Sequence, residues 1–346
     1  MRYNGLDLLR CILMLLGPLI HVIAVIDPFG NWRYFSELNN NNLIHSIFYP
    51  ITFFRMETFF IISGFFSLLI FSKKDNKYFL NSRNKRVLIP FFSSLILITP
   101  ICYFLNFYIY KIFEFNITNT IVHLWFLLTL YIISMIFVFF KEKFRILFNY
   151  EKRKVTISLL LLIFFSEILN FLAKKVLGDD FYRYYFYFIY NTIYYLAFFC
   201  LGLYFYKFKD TFTCRLKLKH FLITYFVAFL LSYFNYYFID NFVFKTFYKI
   251  FALFFSFIAS IYIFNFFKDF EVKASEFLKY FVDKSILIYI FHFPITIYVC
   301  YLFDNFIADD LIYFLSTLII VMVSSIAISH LVSKSNKLSY LFGVKK

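Results

Sequence analysis

The first hydrophobic segment of the chain carries three ionisable side chains, Asp7, Arg10 and His21. Arg10 and His21 are eleven residues apart, about three turns of an α-helix, so they share one face at a separation of roughly 16 Å along the axis. Asp7 and Arg10 are three residues apart and can form an ion pair. Ionisable groups inside an apolar helix usually mark a pathway, a site or a buried pair. A snorkelling Arg10 and a hydrogen-bonded core His21 are the structural alternatives.

The second hydrophobic segment carries two opposite charges in its middle, Arg55 and Glu57. Residues two apart on a helix point to opposite sides, so each of them needs a partner on another helix. The segment runs back through the membrane and brings Glu57 to the depth of Arg10, and we therefore expect an Arg10–Glu57 pair. Ser63 and Gly64 predict a notch of small residues for helix packing.

Two arginines, Arg83 and Arg86, precede the third hydrophobic segment. Guanidinium groups bind phosphates with two parallel hydrogen bonds, so this pair is a candidate anion site at the cytoplasmic mouth of the protein. An ordinary cluster of positive charge at a cytoplasmic membrane boundary explains the same residues equally well.

Two further histidines lie within or beside apolar segments. His123 precedes Trp125 near the outer membrane face, and His292 lies several residues inside the ninth segment, where Pro294 is expected to disturb the backbone. The remaining histidines border the membrane faces and are predicted to be interfacial: His45 at the outer face, His220 and His330 at the inner one.

The composition is typical of an integral membrane protein. Of 346 residues, 62% are hydrophobic and 16% are charged, and the mean hydropathy is +0.74. An average soluble domain has about 25% charged residues, so a water-soluble enzyme, a disordered chain and a nucleic-acid-binding tail are excluded. The apolar residues form blocks of about 20 or more, the length that crosses a bilayer. Lone aromatic residues carry no functional weight, because Phe and Tyr are abundant throughout the chain.

The sequence predicts an all-α fold, a polytopic bundle of about ten transmembrane helices with both termini cytoplasmic. With this topology, 26 of the 35 Lys and Arg residues lie in the inside segments and seven in the outside segments, and two lie within spans. This asymmetry follows the positive-inside rule. The predicted spans are about 6–27, 43–71, 88–110, 119–140, 156–173, 185–206, 220–239, 250–267, 285–303 and 311–332.

We expect residues 1–346 to form a single transmembrane domain in the lipid bilayer. The first segment is interpreted as a span and not as a cleaved signal peptide, because its apolar run is long and includes Arg10 and His21. The loops are short, so any chemistry takes place inside the bundle. The five cysteines are scattered and have no metal-ligand spacing, so neither a metal site nor a disulfide framework is expected.

Two classes of protein fit this pattern of basic residues at the inner mouth and histidines further out. One is an enzyme that moves an acyl group from a phosphate-bearing cytoplasmic donor to an acceptor across the membrane. The other is a proton-coupled transporter that uses the buried Arg, Glu and His residues as a relay. A transporter favours inverted repeats and helices broken by Gly or Pro. No repeat is apparent and Gly is scarce, which favours the enzyme.

Several motifs, in order along the chain, resemble the membrane acyltransferase family 3. Arg10 and His21 fit its Arg-x10-His pattern, and residues 57–65 fit an acidic-x-Phe-Phe-x-x-Ser-Gly-Phe motif. Arg83 and Arg86 fit its Arg-x-x-Arg pattern. Four segments also resemble a succinyl-transferring branch of the family: residues 13–17, 54–56, 123–128 and 288–294. The chain departs from that branch at Ala197, where Pro is usual, and at Glu57, where an amide can occur.

The resemblance implies transfer of an acyl group, succinyl or acetyl, from an acyl-CoA donor to a hydroxyl group of an envelope glycan. It implies a multi-pass protein of the bacterial inner membrane. His21 is then the general base, and Glu57 orients or balances Arg10. The other expected roles are donor binding by Arg10, Arg83 and Arg86, and contact with the acceptor or the oxyanion by His123 and His292.

Overall fold

The structure is a computed structural model that describes residues 3–29, 36, 39–111, 121–178, 186–209, 217–273 and 275–344. These residues form helices joined by turns, and none of them lies in a β-strand. In chain order the helices are α1 (Asn4–Val25), α2 (Asn42–Phe48), α3 (Thr52–Phe71), α4 (Asn76–Arg83), α5 (Ile89–Leu97), α6 (Thr99–Tyr110), α7 (Trp125–Phe139), α8 (Lys141–Arg145), α9 (Lys152–Leu177), α10 (Tyr187–Lys207), α11 (Leu218–Tyr237), α12 (Phe242–Asp269), α13 (Glu276–Asp304), α14 (Asp310–Lys334) and α15 (Asn336–Leu341).

Within the described ranges, nine helical segments are long and apolar enough to cross a membrane, and α7 is a tenth, shorter apolar helix. Two of the nine are composite: α2 and α3 form one segment, and α4 to α6 form another. The ten segments follow the order of the predicted spans, so the prediction of a polytopic all-α membrane bundle is confirmed. The cytoplasmic position of the termini remains a prediction.

The two ends of the bundle differ in charge. We call the end at which α1 begins the basic end, because Arg10, Arg83 and Arg86 lie there. The opposite end, at which α1 finishes, carries Asp27 and Asp304, and we call it the acidic end. Arg10 lies in the second turn of α1 and Asp27 follows its last turn.

The centre of the bundle is a very close crossing of α3 and α10. A Cβ atom added to Gly64 would lie 2.0 Å from the Phe199 carbonyl oxygen, and one added to Gly202 would lie 2.0 Å from the Ile61 carbonyl oxygen. Each glycine therefore lets the backbone of the other helix approach. Van der Waals packing of this kind stabilises membrane helices, for which lipid provides no hydrophobic drive to associate. The predicted notch at Ser63 and Gly64 is present.

A π-helical turn, Asn84–Leu88, joins α4 to α5. The Ile89 amide donates to the Asn84 carbonyl, five residues back, and the Asn84 side chain accepts a 2.9 Å hydrogen bond from the Tyr131 hydroxyl of α7. Such turns occur mostly as single insertions in α-helices, often at functional sites. Arg86 lies in this turn and Arg83 directly precedes it, so the turn sets the direction of one arginine relative to the other.

Polar side chains tie the helices together at the acidic end. The Asn39 amide donates to Asp304 Oδ1 at 3.2 Å, and the Asn41 amide donates to Asp310 Oδ2 at 2.9 Å. His45 Nε2 lies 3.7 Å from Asp27 Oδ1. His45 is buried beside Asp27, whose carboxylate gives the imidazole a partner inside the bundle, whereas His220 and His330 are exposed. The positions of these three histidines at the membrane faces remain predictions.

Candidate active site

Three histidines from distant parts of the sequence meet inside the bundle. The ring centroids of His21 in α1 and His292 in α13 are 5.1 Å apart, and those of His123 and His292 are 5.6 Å apart. Phe293 contacts both His21, edge-on at 5.0 Å, and His123, stacked at 4.6 Å. The structure therefore brings together all three histidines that the sequence singled out.

A proline positions His123. Pro294 lacks an N–H group, so the carbonyl of Ile290, four residues earlier in α13, loses its helical donor. His123 Nε2 lies 3.1 Å from that carbonyl oxygen. Because a carbonyl only accepts, the proton must be on Nε2, which leaves Nδ1 with a lone pair. The Tyr289 hydroxyl donates in turn to the backbone carbonyl of His123 and holds the segment in place. Thus α13 continues through Pro294, and the disturbance expected there is a freed carbonyl.

The three imidazoles differ in accessibility. His292 is 0% exposed and His123 is 4% exposed, whereas His21 is half-buried. Neither ring nitrogen of His292 has a hydrogen-bond partner in the part of the chain that the structure describes. His21 is thus the most exposed of the three histidines, and its ring packs against that of His292.

A cavity of about 180 Å³ opens at the basic end, and three arginines line it: Arg10, Arg83 and Arg86. Asp283 of α13 is the one acid among the described residues of its wall. The inner walls are apolar, with Met14, Phe59, Phe126, Leu127 and Leu130. A molecule with an anionic head and a thin apolar or uncharged arm fits this distribution. The three predicted anion-binding residues therefore share one cavity.

Arg83 is held in place on one side only. Its Nη2 atom donates to the hydroxyls of Ser67 at 2.7 Å and Ser63 at 3.3 Å, and its guanidinium lies over the Phe79 ring at 5.0 Å. Its Nε atom has no hydrogen-bond partner among the described residues. Arg10 is steadied by Asp7, whose carboxylate lies 3.5 Å away, as predicted. No acid neutralises Arg83 within the described ranges, so its charge is available to an anion.

One face of α1 connects the cavity to the histidines. Arg10 and Met14 line the cavity, and Gly17 and His21 follow at helical spacings of three and four residues. Arg10 and His21 are thus separated by roughly 16 Å along one face, as predicted. Substrates that reach both residues must be extended.

Arg55 and Glu57, the two charged residues of α3, are buried. Glu57 does not form the predicted pair with Arg10 of α1. Glu57 is 4% exposed and accepts a 3.1 Å hydrogen bond from the Tyr194 hydroxyl of α10. Arg10 pairs with Asp7 of its own helix. The expectation failed because equal depth does not imply proximity, and because Tyr194 could not be distinguished among 30 tyrosines. The hydrogen bonds that distinguish Tyr194 and Tyr289 from the other tyrosines join different helices or segments, so only the assembled bundle reveals them.

In the described ranges, no three His, Cys, Asp or Glu side chains are arranged to hold a metal ion. Cys11, Cys102, Cys200 and Cys300 are free and buried, and Cys214 lies outside the described residues.

A family model described as an acyltransferase domain (Acyl_transf_3) matches residues 3–330. The chain therefore belongs to the membrane acyltransferase family 3.

Among its relatives are proteins named glucans biosynthesis protein C from Salmonella typhi, Salmonella typhimurium and Salmonella paratyphi B. Each is 30% identical to this chain over 230 residues, which is 57% of this chain and 56% of the relative. The chain thus matches a little over half the length of these relatives. No solved structure gives a significant match.

Proposed function

We propose that this protein transfers an acyl group from a cytoplasmic acyl-CoA to a hydroxyl group of an envelope glycan, in the inner membrane of a bacterium. The observation that carries the proposal is the single face of α1 that runs from the three-arginine cavity to the three histidines. An acyl-CoA has its phosphates at one end and its thioester at the other, joined by a thin arm, and it fits this layout.

The donor site is the cavity at the basic end. Arg10, Arg83 and Arg86 bind the phosphates, because guanidinium groups pair with phosphate oxygens through charge-assisted hydrogen bonds. The apolar walls around Met14 and Phe59 contact the arm. The thioester then lies beyond Met14, near Gly17 and His21.

The reaction needs a base for the acceptor hydroxyl, and His21 is the most exposed of the three histidines and lies on the face of α1 that leads from the cavity. It removes the hydroxyl proton as the oxygen attacks the thioester carbonyl, which is general base catalysis worth typically about 10²–10⁴-fold in rate. His123 and His292 pack behind His21 and line the acceptor side. Glu57, hydrogen-bonded to Tyr194, is a further buried polar group of the site.

The acceptor is proposed to be a glycan, and the acyl group is succinyl or acetyl. The support comes from the names of the relatives, which refer to glucan biosynthesis. The acceptor approaches from the acidic end, since the donor cavity occupies the basic end.

The proposal is tested in proteoliposomes that contain the purified protein and an envelope glycan extract in the lumen. Radiolabelled succinyl-CoA or acetyl-CoA is added outside, and the glycan is recovered and counted. The proposal predicts label in the luminal glycan from one of the two donors. The label should be lost in vesicles with the Arg83→Gln/Arg86→Gln variant and retained in vesicles with the Arg145→Gln variant. Absence of transfer from either donor by correctly inserted protein, together with proton-coupled flux across the vesicles, would establish the transporter instead.

A further inference from the structure

A second buried arginine, Arg55, has no role in the mechanism above. It is 7% exposed, and its Nη2 atom donates a hydrogen bond to the sulfur of the neighbouring Met56, at 3.4 Å. Its Nη1 atom has no hydrogen-bond partner among the described residues. A permanent charge that is buried without an acceptor is costly, so such a group calls for an anion that is not part of the apo protein.

Arg55 Nη1 faces the backbone of Gly17 in α1. A Cβ atom added to Gly17 would lie 3.6 Å from Arg55 Nη1, 3.5 Å from the His292 Cε1 atom and 3.5 Å from the Tyr289 Cδ2 atom. The missing side chain of Gly17 therefore leaves a small gap between these three groups, and an anion that contacts the Gly17 backbone there lies within reach of Arg55. Arg55 also lies close enough to His21 and His292 for its charge to act on both rings. Three side chains therefore surround a gap one helical turn from His21, on the donor side.

Glu57 forms no ion pair with Arg55. The two residues are neighbours on α3, but no ion pair joins them in the described part of the chain. One oxygen of Glu57 accepts from Tyr194, and the other has no hydrogen-bond partner within the described ranges. Arg55 Nη1 thus borders the gap beside Gly17 without a hydrogen-bond acceptor among the described residues.

We propose that the gap beside Gly17 is the oxyanion hole of the acyl transfer and that Arg55 is its principal donor. This inference rests on the proposed function. Oxyanion holes consist of preorganised donors that face the place where negative charge develops, in a site without bulk water. Arg55 satisfies each of these conditions, and the bare nitrogens of His292 offer a second donor at the same gap.

The step balances as follows. The acceptor oxygen forms a bond to the thioester carbon while its proton passes to His21. The carbonyl π electrons move onto the carbonyl oxygen, and Arg55 Nη1 donates to this oxyanion. When the carbonyl reforms, the carbon–sulfur bond breaks, the electron pair leaves with the CoA sulfur, and His21 returns the proton to it. The products are the ester and the CoA thiol.

Two variants test the assignment, Arg55→Gln and Gly17→Ala. Arg55→Gln removes the charge, and Gly17→Ala fills the gap at contact distances that the free protein accommodates without rearrangement. Because the oxyanion forms only after both substrates are bound, kcat should fall about 10²–10³-fold in Arg55→Gln while the donor KM stays within about twofold. Gly17→Ala should also reduce kcat, and Arg55→Lys should recover part of the activity. Arg145→Gln, an exposed charge change, is the control.

The measurements use purified protein in nanodiscs with both acetyl-CoA and succinyl-CoA. Loss of kcat that is the same for each accepted donor supports an oxyanion role. A raised KM with unchanged kcat, or a loss restricted to succinyl-CoA, would overturn it, since Arg55 would then bind a ground-state anion such as the succinyl carboxylate. If Arg55→Gln does not fold, an unchanged kcat in Gly17→Ala would refute the hole by itself. Absence of transfer by the unmodified protein refutes the proposed function, whereas wild-type activity in Arg55→Gln refutes only this inference.

Discussion

At the scale of single residues, the site depends on backbone groups as much as on side chains. Pro294 leaves the Ile290 carbonyl without its helical donor, and His123 donates a hydrogen bond to that carbonyl. A proline in α13 thus fixes the tautomer of a histidine from a distant segment of the chain. The sequence indicated each residue separately, Pro294 as a disturbance and His123 as a candidate. Their connection could not be predicted, since it needs the two segments side by side.

Arg86 offers a test of the donor cavity at this scale. Arg86 is exposed and lines the cavity, and its side chain makes no hydrogen bond among the described residues. Arg83, in contrast, donates hydrogen bonds to Ser63 and Ser67. Arg86→Gln should therefore raise the KM for acyl-CoA about tenfold, since a charge-assisted contact is worth roughly 1.5 kcal/mol or more, and leave kcat unchanged. Steady-state kinetics with varied donor measure this, with Arg145→Gln as the matched control. An altered protein yield with an unchanged KM would show that Arg86 acts in membrane topology, as part of the positive charge at the cytoplasmic boundary, and not in donor binding.

Candidate residues with a defined spacing were the ones that the sequence could place. Arg10 and His21 share a face because eleven residues make about three turns, and both are found where that spacing puts them. Arg55 and Glu57 could be predicted only to need partners. The partner of Glu57 is one tyrosine of 30, and the gap that faces Arg55 comes from a glycine on another helix. Packing between helices decides such contacts, and periodicity along one helix does not reveal them.

At the scale of elements, the α3–α10 crossing holds Arg55, Glu57 and Tyr194 in register. The crossing depends on Gly64 and Gly202, whose missing side chains let each backbone contact the other. Ser63 and Gly64 predicted a packing notch, but the partner helix and the reciprocal glycine could be identified only from the structure.

Gly64→Ala tests that crossing. The added Cβ would lie 2.0 Å from the Phe199 carbonyl oxygen, so α3 and α10 must move apart, at a cost of about 1–3 kcal/mol. We expect a lower midpoint of thermal unfolding in detergent and reduced transfer. Gly17→Ala is the control for stability, since its nearest contacts are 3.5–3.6 Å and its midpoint should not fall. Equal midpoints for the two variants would show that the crossing tolerates a wider separation.

At the scale of the whole molecule, the fold was the most predictable feature. Blocks of apolar residues long enough to span a bilayer recur along the chain, and the described helices follow them in order. The acidic end was less predictable, because the burial of His45 depends on Asp27, a residue from the end of α1. Helix positions are set by local hydropathy, whereas polar pairs between loops are set by the assembled bundle.

The orientation of the bundle can be measured directly. With 26 Lys and Arg residues predicted inside, residues 141–154 should face the cytoplasm and residues 240–249 the opposite side. Arg145 and Lys245 are both exposed. In spheroplasts, a membrane-impermeant thiol reagent should label the Lys245→Cys variant, and it should label Arg145→Cys only after permeabilisation. The reverse pattern would place the arginine cavity outside and remove cytoplasmic acyl-CoA as its donor.

The central claim is that His21 activates the acceptor hydroxyl, and acyl transfer by His21→Ala membranes tests it most directly. Radiolabelled succinyl-CoA and acetyl-CoA are incubated with an envelope glycan extract and membranes that contain the unmodified protein, His21→Ala or His330→Ala. His330 is exposed at the basic end and lies outside the site, so its variant controls for loss of a histidine. We predict transfer by the unmodified protein and His330→Ala, and a loss of at least about 10²-fold in His21→Ala at equal amounts of inserted protein. Full transfer by His21→Ala would contradict the account.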